Sequence, residues 1–150
     1  MFPATGSMQI FDFHLHSKYS RACSKQLDLE HIEHWCEIKG IDIVGTSDFT
    51  HPAWHKEIAA KLEPAGNGLY RLRPSEASKH VRAESGFAVA RDGQKPAPVF
   101  FLSTELSCIY SQGGSVRRVH ILLSFPELEH VHKLIKSLGK RGAKLASDGR

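Results

Sequence analysis

Four short stretches of this 150-residue chain carry side chains that bind metals or move protons. The first is Asp12-Phe13-His14-Leu15-His16, at the end of an apolar run that starts at Met8. In an extended segment alternate side chains share a face, so His14 and His16 point the same way and Asp12 points with them. Two imidazoles converging from one strand end make half a site for a borderline metal such as zinc or manganese. Asp12 is then the expected acceptor for the second ring N–H of a ligating histidine. Asp48 and His51 follow a second apolar run, IDIVGT (41–46). Glu105 follows a third, VFFLST (99–104), and His120 lies inside VRRVHILLSF (116–125). Mixed histidine nitrogens and carboxylates suit a two-metal hydrolytic site, where a bridging carboxylate holds ions about 3.5–4 Å apart. Plainer roles stay open for each residue. The H-x-H pair could be strand-end polarity, Asp48 a helix cap, Glu105 a strand cap, and His120 a hydrogen-bonded core histidine.

Periodicity predicts the elements that must position these groups. Gln9–Phe13 reads as a strand, followed by a polar loop over 17–25. Leu29, Ile32, Trp35, Cys36 and Ile38 recur at helical spacing, with Asp28 as cap and Gly40 as stop. The β-branched run 41–46 reads as a buried strand, and a helix is predicted from Ala53 to Leu62, just after Pro52. This alternation argues for parallel strands joined by crossover helices. It places His14, His16, Asp48 and Glu105 at carboxyl ends of strands, where ligands gather in parallel α/β folds. Prolines, glycines and charges mark a long surface excursion over 63–98, with a short strand at Leu69–Leu72. Val99–Thr104 restores a buried strand. Leu106–Tyr110 and Val116–Phe125 pair about a Gly-Gly turn, and a last helix runs from Glu127 to Leu138 with Gly139 as its stop. His51 and His55 have a metal-binding i, i+4 spacing, although Trp54 and Lys56 beside them suggest a solvated or nucleic-acid-facing surface. His31, His34, His130 and His132 read as surface residues, and His80 has no assignment.

Bulk properties narrow the setting. At 41% hydrophobic the chain can fill one domain over 8–150, after a leader, 1–7, that reads as disordered. No apolar run is long enough to span a membrane, and no signal peptide precedes the first strand. Three dispersed cysteines without a C-x-x-C pair argue against a disulfide scaffold or a cysteine zinc finger, and suit a cytoplasmic setting. A net charge of +4 and a pI near 9.1 favour polyanionic partners without identifying one. The closing stretch 142–150 reads as the start of another loop. The chain is therefore expected to be a fragment whose open sheet edge a missing C-terminal half would cover.

Taken in order, DFHLHS, GTSDFTH, STEL and RRVHILLSF resemble the polymerase-and-histidinol-phosphatase (PHP) family of metal-dependent phosphoesterases. HLHSKYSRACSK, KGIDIVGTSDF, HPAWHKEI and KLASDGR carry a narrower resemblance, to the N-terminal part of the endonuclease Q nucleases. That resemblance implies an α/β fold, the PHP-type distorted (βα)7 barrel, of which this chain would hold the N-terminal portion. It implies two divalent ions (Zn, Mn or Mg), with His14 and His16 on one, His120 on the other, and Glu105 as the bridge. The family's usual Thr-Asp-His motif reads Ser-Asp48-Phe49 here, and Ala22 stands near another expected ligand position. A third ion therefore lacks those ligands, and the catalytic part of Asp48 is left open. The family's later histidine and final Asp-x-His motif have no counterpart. The implied activity is metal-assisted phosphodiester hydrolysis on DNA, 5′ of deaminated bases such as uracil and hypoxanthine or at abasic sites. Lys18, Arg21, Lys25, Arg117 and Arg118 are the candidate phosphate contacts, and Tyr19 and Trp54 the candidate base-stacking residues. Two other readings stay open: a histidinol-phosphate-type phosphomonoesterase, and a truncated module with an incomplete ligand set.

Overall fold

The computed structural model describes residues 8–86 and 96–146. The expected leader 1–7, residues 87–95 of the excursion and the closing 147–150 lie outside the described residues. Helix α1 (Leu29–Lys39) forms as its caps predict: Asp28 accepts the His31 backbone N–H at 3.0 Å, and Gly40 ends it in the left-handed region at φ +73°. It buries Leu29, Ile32 and Cys36 against strand β2 (Ile43–Gly45) and its neighbours. Strand β1 is shorter than expected, Phe11–Asp12, and pairs parallel with β2 at Phe11–Ile43 and Asp12–Val44. Pro52 opens α2 (Pro52–Lys61), which buries Trp54 and Ile58 and passes directly into β3 (Leu62–Gly66).

Over residues 63–86 the expected excursion carries regular structure. β3 turns through Asn67-Gly68, at φ +54° and +75°, into β4 (Leu69–Leu72), an antiparallel hairpin of the kind Asn-Gly favours. Helix α3 (Glu76–Glu84) follows, capped by Ser75, and its Arg82 reaches Glu33 at 3.0 Å and Glu37 at 2.9 Å on α1. Strand β5 runs unbroken from Val99 to Gln112, where two shorter strands were expected. Its start pairs parallel with β2 and antiparallel with β4; beyond Phe101 it pairs with β6 (Ser115–Phe125) alone. Gly113 and Gly114, both at positive φ, make the predicted turn. Helix α4 (Leu128–Lys140) continues through Gly139, which was expected to stop it, and the chain turns at Gly142 instead. The apolar stripe Leu128, Val131, Leu134 and Ile135 packs on the core.

The sheet order is β1-β2-β5-β4-β3, with β6 on β5. It is a mixed sheet and, over the described residues, it is not closed; parallel pairing is confined to β1, β2 and β5. The described residues thus form an open mixed α/β sheet; the all-parallel alternation expected from the sequence is interrupted because the excursion returns as a hairpin instead of a crossover helix. No helix among the described residues is long and apolar enough to cross a membrane. Under β1 lies a cavity of about 380 Å³, lined by Leu15, Ile32, Trp35, Cys36 and Val44 with Asp12 and Lys39 beside them. Burial, reinforced by Asp12, pushes the Cys36 thiol up to about 12, so it lines this cavity uncharged.

At Gly45 strand β2 leaves no room for a side chain against β5. A Cβ there would lie 2.5 Å from Ser103 Oγ, 3.1 Å from the Phe101 ring and 3.2 Å from the Phe13 carbonyl oxygen. Ser103 Oγ also accepts the Ser47 N–H at 3.0 Å, so displacing it unties the next turn. Gly45→Ala is expected to cost about 1–3 kcal/mol, read as a lower denaturation midpoint at unchanged m-value.

Candidate metal centre

Past the end of β1, His14 and His16 both reach Glu105 on β5. His14 Nε2 contacts Glu105 Oε2, and His16 Nε2 lies 3.8 Å from the same oxygen. One ligand atom from each of the three lies within 4.8 Å of the others, the one such group among the described residues. The other carboxylate oxygen, Oε1, contacts His120 Nδ1. Register explains this. Glu105 pairs with Leu122 and Ser107 with His120, so Glu105 and His120 are diagonal neighbours on one face of the β5–β6 hairpin. Glu105 therefore divides its two oxygens between the histidines after β1 and the histidine of β6. It is mid-strand, not at a strand end, but it lies just past the point where β5 stops pairing with β2. The glutamate is 11% exposed while His14 and His120 are 47% and 61% exposed, so the group opens to solvent on one side. Imidazole nitrogens with carboxylate oxygens at this spacing are the donor set that zinc and manganese take.

Behind His16 stands Asp48. Its Oδ1 lies 3.3 Å from His16 Nδ1, and its Oδ2 accepts from the Ser17 N–H at 2.7 Å, the Ser17 hydroxyl at 2.8 Å and the Ser20 hydroxyl at 2.7 Å. All three residues are buried. Ser47 and Asp48 both adopt positive φ, +52° and +45°, which non-glycine residues adopt only where surroundings enforce it. The turn aims the carboxylate back at the loop after β1 instead of at α2, whose N-cap is His51 without a side-chain bond. Asp48 thus neither caps α2 nor joins the three-residue group. By accepting the Nδ1 proton of His16 it leaves Nε2 with its lone pair toward Glu105. In Asp48→Asn an amide N–H can face Nδ1, which then has to accept and moves the ring proton to Nε2. The expected result is about 10–100-fold weaker metal binding, measured by zinc titration, with the far-UV spectrum unchanged.

No protein-family model matches the chain. An uncharacterized protein of Methanocaldococcus jannaschii is 43% identical over 47 residues, 31% of this chain and 6% of that protein. Two solved structures match far more of it. One is the lesion-specific endonuclease PfuEndoQ from Pyrococcus furiosus, at 26% identity and a TM-score of 0.64. The other is endonuclease Q in complex with a 27-mer duplex carrying an abasic lesion at the active site, at 27% identity and a TM-score of 0.65. Each match covers 93% of this chain and 28% of the solved one. The chain is similar to endonuclease Q. It spans little more than a quarter of the length of those structures.

Several expected roles change once the endonuclease Q-like fold is in place. Asp12 does not back a histidine ring; it accepts the His14 backbone N–H at 3.2 Å and lines the cavity under β1, because the strand ends before the histidines. Trp54 is fully buried, its indole N–H donating to the Thr46 and Ser47 carbonyls at 3.0 and 2.8 Å, so it packs the core and is not a base-stacking surface. Lys18 and Tyr19 both turn to Glu57, at 2.9 and 2.6 Å, and Tyr19 stacks on His51. The hydrogen bond to Glu57, with burial, lifts the Tyr19 hydroxyl to about 12. Arg21 is exposed. Arg117 pairs with Tyr110 and Arg118 with Ile109. Alternation therefore puts Arg118 on the Glu105–His120 face and Arg117 on the opposite one. His34, expected at the surface, is 2% exposed.

Proposed function

We propose that this protein is a metal-dependent phosphodiesterase acting on DNA, an endonuclease that incises beside abasic or deaminated bases. The observation that carries the reading is the division of Glu105 between two sets of histidines. The similarity to endonuclease Q, one structure of which holds a duplex with an abasic lesion, supports DNA as the substrate. On this reading His14, His16 and Glu105 would hold one divalent ion, and Glu105 with His120 would hold the second. Bound there, such ions lower the pKa of water and offset charge on the phosphate in the transition state. The chain's own residues supply position. Asp48, Ser17 and Ser20 fix the His16 ring, the β5–β6 register fixes His120 against Glu105, and Arg118 places positive charge on the same face for a backbone phosphate.

The test is incision of a labelled duplex with one abasic site by manganese-loaded protein, with undamaged, uracil and hypoxanthine duplexes and a phosphomonoester run alongside. Cutting beside the lesion that stops on adding chelator supports the reading. Hydrolysis of the phosphomonoester without incision of any duplex, or protein that takes up no metal, overturns it.

A further inference from the structure

A second pair of histidines meets away from Glu105. His55 on α2 and His132 on α4 stand edge to face, with ring centroids 4.5 Å apart and planes at 80°. Both ring nitrogens of His55 are buried, and neither has a hydrogen-bond partner. Buried polar atoms are almost always paired, and each one left alone costs about 1–3 kcal/mol. A second helix that presents another imidazole to this ring, without hydrogen bonding to it, leaves that cost uncompensated within the protein. Burial and the neighbouring His132 hold His55 below the usual imidazole range, so its lone pair is available at neutral pH. His132 is exposed, which gives an ion a route from solvent. His51, one turn earlier, is engaged in its stack on Tyr19 at 4.4 Å.

We propose that His55 and His132 form a second transition-metal site, independent of the Glu105 centre, that takes a zinc, nickel or copper(II) ion between α2 and α4. One nitrogen from each ring and water complete the coordination. No third His, Cys, Asp or Glu joins the pair within 4.8 Å among the described residues. The site is therefore selective for metals that favour imidazole and does not hold magnesium or calcium, which need oxygen ligands. Its structural effect is to pin α4, which otherwise docks through Val131 and the partly buried Leu128, Leu134 and Ile135.

The experiment uses the full chain carrying His14→Ala, His16→Ala and His120→Ala, so that the first centre is disabled, and titrates copper(II) and zinc alone. One equivalent of copper should still bind, with two nitrogen ligands in its electron paramagnetic resonance spectrum, and zinc should raise the thermal midpoint. Adding His132→Ala, at an exposed position, should weaken binding at least about tenfold and abolish both the two-nitrogen spectrum and the zinc-dependent midpoint shift. His55→Gln should do the same. Copper binding and spectrum unchanged by His132→Ala, or no binding in the triple variant, overturns the proposal. Neither outcome bears on DNA incision, which rests on the other centre.

Discussion

Glu105→Gln is expected to abolish incision of an abasic duplex by about 10³-fold or more, roughly 4 kcal/mol of barrier. The size follows from position. One carboxylate serves both sides of the centre through separate oxygens, so a neutral amide weakens the His14–His16 side and the His120 side together. Glutamine keeps the volume of the side chain within β5, so the fold should persist. Bound metal should fall well below that of the wild type, as read by atomic absorption after gel filtration. His120→Ala removes one side only and should cost less. A Glu105→Gln protein that cuts within a factor of ten of the parent would remove the bridging carboxylate from the mechanism.

Trp54→Ala should be the most damaging single change to the fold. The side chain is 0% exposed, and its truncation leaves a cavity worth about 3–5 kcal/mol. The indole N–H also satisfies the carbonyls of Thr46 and Ser47, the two residues that lead into the left-handed Asp48 turn. Trp54→Phe isolates this second contribution and should cost about 1–3 kcal/mol. Thermal denaturation of the alanine variant should show a midpoint lower by about 10–15 °C. A shift below 3 °C would mean that this ring is not core.

His14 and His16 were legible as a pair because alternation acts at the scale of a few residues. Glu105 is mid-strand and not at the expected strand end, and His120 was tied to it only through the family resemblance. What stands behind them was not legible. Asp12 shares a face with the histidines only if the strand persists, and the chain leaves the sheet at Asp12. Asp48 reaches its partners across |i−j| separations of 28 to 32, which no local pattern reports. Trp54 beside Lys56 looks like surface until helical phase is set by Ile58, one turn on and also buried. The Asn67-Gly68 hairpin and the Ser75 cap were present as signals but were outweighed by the prolines and charges around them. His34 carries no mark of burial in its neighbours, since Glu33 and Glu37 are held by Arg82, far along the chain on α3.

The centre has a fast half and a slow half. Glu105 and His120 are 15 residues apart on a hairpin with a two-glycine turn, and such ribbons close in about 1–10 μs. His14 and His16 come from the other end of the chain, and join only after β1 has found β2 and β2 has found β5, pairings of high contact order. An ion met early in refolding encounters one carboxylate and one imidazole, a weak and exchangeable pair. Tight capture of the proposed ion would wait for the long-range pairing, so a bound metal would record the completion of folding and would not be its nucleus.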